Sequence, residues 1–200
     1  MPPPGGRHAV VSTSPVAAGI PSRPRPAIVD LATSAVSRGR IAALAQRGEP
    51  IPPGWAVTAS GEPTTDPQAA IEGMLAPLGG PKGFALAFLV EALTGGLVGP
   101  VLSTQVADML TASDAARPQQ IAHLVIALAP SRLGVDGGSA ARDRLDLLAA
   151  RVAAAGGRAP GSRRALPDEI DEQARLPVSR QTQQQITTWA RRLRVPVPDG

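Results

Sequence analysis

The 200-residue chain has no cysteine and no tyrosine, one lysine, two histidines, two tryptophans and two phenylalanines. Without cysteine it has no disulfide framework, no thiolate metal site and no thiol nucleophile, a composition suited to a reducing compartment. His8 and His123 are too few for a multi-histidine metal centre, and no metal ligand is assigned. Trp55, Phe84, Phe88 and Trp189 leave little to stack on nucleic-acid bases. Long apolar runs are missing as well. Residues 84–102 are broken by Glu91, Gly95, Gly96, Gly99 and Pro100, too often for a span of about 20 apolar residues. Met1-Pro2-Pro3-Pro4-Gly5-Gly6-Arg7-His8 lacks the apolar centre of a secretory signal. These absences predict a cytoplasmic chain with neither a membrane nor a nucleic acid as partner.

The same scarcity explains an isoelectric point of about 11.1 beside a net charge of only +4. With no tyrosine or cysteine, almost nothing titrates between neutrality and the arginine range. Acidic residues are interspersed with the basic ones, so the value reports missing buffers and not a dense positive field. What is plentiful is apolar residues, 43%, and turn formers, 21 Gly and 22 Pro. That supports one domain with a real core and many turns.

Residues 9–12 and 27–32 are short apolar runs between Pro and Gly clusters and read as buried strands. Thr33 and Ser34 are N-cap types ahead of a helix over residues 35–46 that ends at Gly48. Asp66 caps a short helix with Pro67 at its first position and Gly73 at its end. Pro81 stands near the start of a helix through residues 84–93, apolar on nearly all sides and therefore expected at the centre of the fold. Residues 121–129 read as another buried strand, and Ser139 as the cap of a helix from 140 to about 155. A last helix begins near Ser179, with Ile186, Trp189, Ala190 and Leu193 on one face. Strands interleaved with helices argue for an α/β fold.

Of the 20 basic residues, 19 are arginine, so the one position that keeps lysine, Lys82, points to a need for a compact ammonium. It lies in Gly79-Gly80-Pro81-Lys82-Gly83, where small residues admit a ligand and a helix start offers N–H donors. An anion site and a plain glycine turn carrying a solvated lysine both fit these residues. The turn of residues 158–164 brings Arg158, Arg163 and Arg164 around Pro160-Gly161 and could fork onto a phosphate or carboxylate. It could equally be an exposed basic turn facing Asp168, Glu169, Asp171 and Glu172. No Ser/His/Asp constellation or catalytic carboxylate pair is evident.

Several strings occur in a telling order: Asp30-Leu31-Ala32-Thr33-Ser34, Arg38-Gly39-Arg40, Ile51-Pro52-Pro53-Gly54-Trp55, Gly61-Glu62-Pro63-Thr64-Thr65-Asp66-Pro67, the Gly79–Gly83 string, and Pro160-Gly161. Together they resemble the malate/L-lactate dehydrogenase family, from Pro4 to about Val195. The resemblance implies hydride transfer between NAD or NADP and a 2-oxo or 2-hydroxy acid. It also implies a non-Rossmann α/β fold, a mixed sheet with flanking helices, commonly in a homodimer. It assigns Asp30, Leu31, Ala32, Thr33, Pro81, Lys82, Arg158, Pro160, Gly161, Arg163 and Arg164 to the cofactor, and Thr13, Gly39 and Arg40 to the substrate. Residues 1–130 would then be a cofactor-binding core and 131–200 a C-terminal helical segment.

Two departures stand out. Relatives read Gly-Thr-Asn-Pro where this chain has Ser12-Thr13-Ser14-Pro15. The family's catalytic histidine lies in an N-terminal portion that precedes the matched region, and neither His8 nor His123 matches it. The expectation is a truncated member without its proton donor, exposing the apolar faces of Ile28, Val29 and the 84–93 helix. A non-catalytic binding or assembly subunit, pairing with a full-length paralogue, is the alternative.

Overall fold

Small and branched residues close a two-stranded ribbon early in the chain. The computed structural model describes residues 1–108, 113–114, 116–133, 136–171, 173 and 177–197, and divides into two compact units, Met1–Ser162 and Arg163–Gly200. In the first unit, β1 (Pro15–Ile20) pairs antiparallel with β2 (Ala27–Ala32), Pro15 opposite Ala32 and Ile20 opposite Ala27. The strand expected over residues 9–12 is irregular because its amides are used elsewhere. Val10 N–H donates to the Met1 carbonyl and Ser12 N–H to Ser103 Oγ.

Thr33 and Ser34 are also engaged away from the expected capping role. Thr33 Oγ1 donates to the Ser14 carbonyl at 3.2 Å and Ser34 Oγ to the Val36 carbonyl at 2.8 Å. The cap of α1 (Arg38–Arg47) is instead Ser37, whose hydroxyl accepts the Arg40 N–H at 3.3 Å. Gly48, at φ +66°, ends the helix as the sequence predicts. Ser37→Ala is expected to cost about 1 kcal/mol, the usual worth of such a cap. A urea melt with an unchanged midpoint would show that the cap is idle.

Ile41 and Leu44, one turn apart on α1, are buried with Ile51, Ala56 and Ala70. This core lies between α1, α2 (Pro67–Glu72) and a small sheet of β3 (Ala56–Val57), β4 (Pro63–Thr64) and β5 (Met74–Leu75), with β3 in the middle. Asp66 caps α2 through Gln68 N–H at 2.9 Å, Pro67 occupies its first turn and Gly73 follows its end, all as expected. Every ladder among the described residues is antiparallel, so two small antiparallel sheets stand where a mixed sheet was expected.

Helix α3 (Pro81–Glu91) starts with Pro81 in its first turn but is not central. It buries only Gly83, Ala87 and Glu91, while Phe88 and Leu89 are 59% and 53% exposed. A helix apolar on all sides needs partners on all sides, and here Met1, Val11 and Phe84 pack at Ala87. Ile28 and Val29 of β2 are half-buried. Residues 121–129 are outside any strand. Their apolar run pairs with no strand among the described residues, and Val125 and Leu128 are 87% and 73% exposed. Helix α4 (Ser139–Ala154) closes the unit's regular structure. Its first turn is held by Asp136, which accepts the Ala140 N–H at 2.7 Å and the Ser139 hydroxyl at 3.1 Å, so Ser139 is itself inside the helix.

In the second unit, Ser179 caps α5 (Arg180–Leu193) through Thr182 N–H at 3.1 Å, as predicted. Ala190 is buried, and the Arg192 guanidinium lies 5.0 Å from the centre of the Trp189 ring. Glu172, one of the expected acidic neighbours of the arginine turn, lies outside the described residues. No helix among the described residues is long and apolar enough to cross a membrane.

Candidate functional site

The ribbon's second strand and the residues that follow it meet the approaches to two of the distant strings that the sequence singled out. Leaving β2, the chain enters Thr33, which is fully buried, and Ser34, which forms an isolated antiparallel bridge with Pro77. The Leu78 N–H donates to the Thr33 carbonyl at 2.9 Å and the Ala35 N–H to the Ala76 carbonyl at 2.8 Å. The strand end that begins at Asp30 is therefore stapled to the residues just before the glycine loop.

The loop then turns through two left-handed glycines, Gly79 at φ +63° and Gly80 at φ +70°, a conformation a side chain strains. Nothing lies within 4 Å of where a Cβ would sit on either, so their outer surface is open. Gly83 is glycine for the opposite reason. A Cβ there would meet the Leu78 carbonyl oxygen at 1.7 Å, so the first turn of α3 is folded flat on Leu78. Gly80 has no side chain to cap α3, and Pro81 has no N–H. The Phe84 N–H returns to the Gly80 carbonyl at 3.0 Å and Gly83 is buried, which leaves Lys82 as the N–H-bearing residue of this turn at the surface, beside the positive end of the helix dipole. Lys82 is exposed on that first turn. Open glycines, an uncapped helix start and a compact ammonium together fit a phosphate-bearing ligand.

The Pro160-Gly161 turn reaches the same strand. The Ile28 N–H donates to the Pro160 carbonyl at 2.9 Å, and Gly161, at φ +76°, sits so close that a Cβ would fall 2.7 Å from Ile28 Cβ. Arg158 is exposed beside this turn. Arg163 and Arg164 belong to the second unit and are exposed there. On the substrate side, Thr13 is half-buried in the stretch leading into β1, which the Ser14–Thr33 hydrogen bond joins to the end of β2. Gly39 and Arg40 are exposed in the first turn of α1. His8 and His123 are both exposed.

Two further features left no signal in the sequence. A cavity of about 810 Å³ opens along β1, lined by apolar side chains that include Ile20, Val90, Leu93, Leu124, Ile126 and Leu128. None of the residues assigned to cofactor or substrate lines it. The second is Arg23, whose backbone N–H and guanidinium both donate to Asp146 on α4, at 2.6 and 2.7 Å. The Arg23 backbone N–H above all, and its guanidinium next, hold the Asp146 carboxyl below its ordinary range. That contact ties the turn of the ribbon to α4.

Comparison with known proteins places this arrangement. A family model described as malate/L-lactate dehydrogenase matches residues 1–187. L-sulfolactate dehydrogenase of Methanothermobacter thermautotrophicus is 42% identical over 132 residues, 64% of this chain and 37% of that protein. The (2R)-3-sulfolactate dehydrogenase (NADP(+)) of Chromohalobacter salexigens is 38% identical over 180 residues, 88% of this chain and 52% of that protein. Among solved structures, delta1-piperideine-2-carboxylate reductase from Pseudomonas syringae superposes with a TM-score of 0.69 at 32% identity, covering 80% of this chain and 48% of that one. The chain thus spans about half, or less, of the length of the curated relatives it matches.

Proposed function

Because the chain belongs to the malate/L-lactate dehydrogenase family, we propose that it carries the nucleotide-binding side of an NAD(P)-dependent hydride transfer between a 2-hydroxy acid and a 2-oxo acid. The observation that supports this most is that two of the distant strings are tied to the β2 segment, the residues just before the Gly79–Lys82 loop through Thr33 and Ser34 beyond its carboxyl end and the Pro160-Gly161 turn through Ile28. When bound, the nicotinamide nucleotide supplies or accepts the hydride. The residues of this chain bind and orient. Lys82 and the uncapped start of α3 take the phosphates, Asp30, Leu31, Ala32 and Thr33 line the strand end, and Pro81 fixes the helix entry. Arg158, Pro160 and Gly161 flank β2, and the family resemblance adds Arg163 and Arg164 to the same reading.

Substrates of this class carry a carboxylate. Arg40, with Gly39 leaving room beside it, supplies the complementary fork, and the Thr13 hydroxyl a further hydrogen bond. Reduction of a carbonyl also needs a proton at the developing alkoxide, a contribution of about 10²–10⁴-fold. None of the residues assigned here is its donor, so this reading gives the chain binding and orientation and no general acid. Homodimer formation belongs to the same reading.

The test is a fluorescence titration of NADH and of NADPH with the purified chain. A saturable change with either nucleotide is expected; a linear response to both overturns the reading. A second reading, a binding or assembly subunit, is favoured by the bare apolar run at residues 121–129. Co-purification with a larger family member would support it, and a monodisperse lone chain would oppose it.

A further inference from the structure

Glu91 is the one acid in the apolar stretch of α3, and it is buried to 6% exposure. Its Oε1 accepts the Ser103 N–H at 2.6 Å. The path that brings Ser103 there is specific. After Glu91 the helix widens into a π-helical turn, Ala92–Gly96, a departure from α geometry that is rare and recurs at functional sites. Gly95 makes room within it. A Cβ there would stand 3.1 Å from Glu91 Oε1 and 3.0 Å from the Val101 carbonyl oxygen. The chain folds back through Gly99, whose N–H donates to the Thr94 carbonyl at 2.7 Å, and delivers Ser103 to the carboxylate.

Ser103 faces the other way with its hydroxyl. Its Oγ accepts the Ser12 N–H at 2.8 Å. Ser12 precedes Thr13, and the Ser14 carbonyl accepts from Thr33 Oγ1 at 3.2 Å. One line of contacts therefore runs from the buried carboxylate through Ser103 to the Ser12–Ser14 turn and on to the end of β2. A buried carboxylate is costly unless it is fully engaged, and its use as the anchor of a loop that touches the substrate-side turn accounts for its presence.

We propose that Glu91 is a positioning residue, acting through Ser103 to fix the Ser12–Ser14 turn and so the placement of the Thr13 hydroxyl on the substrate's polar end. The proposal rests on the dehydrogenase reading for its ligand, but its geometry can be read without one. Burial pulls the Met1 ammonium below its ordinary pKa, and the Glu91 charge acts against that shift, so the variants separate charge from hydrogen bonding. Ser103→Ala removes only the hydroxyl, at a half-buried position, and leaves the Glu91 contact intact. Glu91→Ala removes the anchor, and Glu91→Gln keeps an acceptor while removing the charge.

Two quantities decide. The first is amide hydrogen exchange at Ser12, followed by NMR. The second is binding of oxamate, a non-reducible 2-oxo acid mimic, to the NADPH-loaded chain, measured beside NADPH affinity itself. Ser103→Ala and Glu91→Ala should speed Ser12 exchange and weaken oxamate about fivefold, a change on the scale of one hydrogen bond, with NADPH affinity within twofold. Glu91→Gln should restore both. Unchanged Ser12 exchange in Ser103→Ala, an equal loss of oxamate and NADPH, or a Glu91→Gln that behaves like Glu91→Ala overturns the proposal. If the unaltered chain binds no nucleotide, the dehydrogenase reading falls, and Ser12 exchange still decides whether Glu91 fixes the turn.

Discussion

Gly83→Ala is expected to lower the stability of the first unit by about 3 kcal/mol, the upper part of the range for overpacking, and to abolish nucleotide binding. The reason is geometric. The added carbon would lie 1.7 Å from the Leu78 carbonyl oxygen and 2.6 Å from its carbonyl carbon, and both are backbone atoms with no rotamer to change. Relief requires the first turn of α3 to lift from Leu78. Leu78 in turn holds the Thr33 carbonyl at 2.9 Å, so the movement passes directly to the strand end. Gly79→Ala is the control, because it faces open space and pays only for its φ of +63°, about 1–2 kcal/mol. Guanidinium chloride melts and NADPH titrations of the two variants check this. A Gly83→Ala protein as stable as Gly79→Ala and still able to bind would mean that α3 and Leu78 are not in the described contact.

Lys82→Ala is expected to weaken NAD(P)H about thirtyfold while leaving the melting midpoint within experimental scatter. A hydrogen bond to a charged group contributes roughly 1.5–3 kcal/mol, or about 10- to 150-fold in affinity. The side chain is exposed, so its loss should not reach the core. Lys82→Arg separates charge from shape. If the site needs a compact, rotatable ammonium, the planar fork should recover only part of the binding, about tenfold weaker than lysine. Fluorescence titration gives both values. Nucleotide affinity within twofold of the unaltered chain in Lys82→Ala would remove the lysine from the site.

Local chemistry is the part of this fold most legible in the sequence. Asp66 and Ser179 as caps, Pro67 and Pro81 in first helical turns, and Gly48 at a helix end each depend on a few neighbouring residues, and each is where the sequence places it. Failures occur where partners lie far along the chain. Thr33 and Ser34 are good caps by type, but the Ser14 carbonyl and a local carbonyl take their hydroxyls, so the helix is capped at Ser37. Residues 9–12 and 121–129 have the composition of buried strands and lack a ladder, because pattern reports what a segment would bury and not whether a neighbour is present.

The site divides along the same line. Lys82 is visible as the lone lysine among arginines, and its glycines mark the loop. That Gly79 and Gly80 are needed for conformation, and Gly83 for contact, is a distinction of three-dimensional neighbours that three identical letters do not carry. Glu91 does leave a trace, a single charge in an apolar helix, but nothing in the sequence indicates that Ser103 would be its partner.

A nucleotide that bridges the strand end, the glycine loop and the Pro160-Gly161 turn would clamp two distant stretches of chain onto one hairpin, β1 with β2. Frayed or slipped forms of that hairpin cannot offer the three attachments together. Cofactor concentration would then act as a thermostat for the ribbon: above saturation, each further tenfold rise in free nucleotide deepens the ordered state by roughly 1.4 kcal/mol.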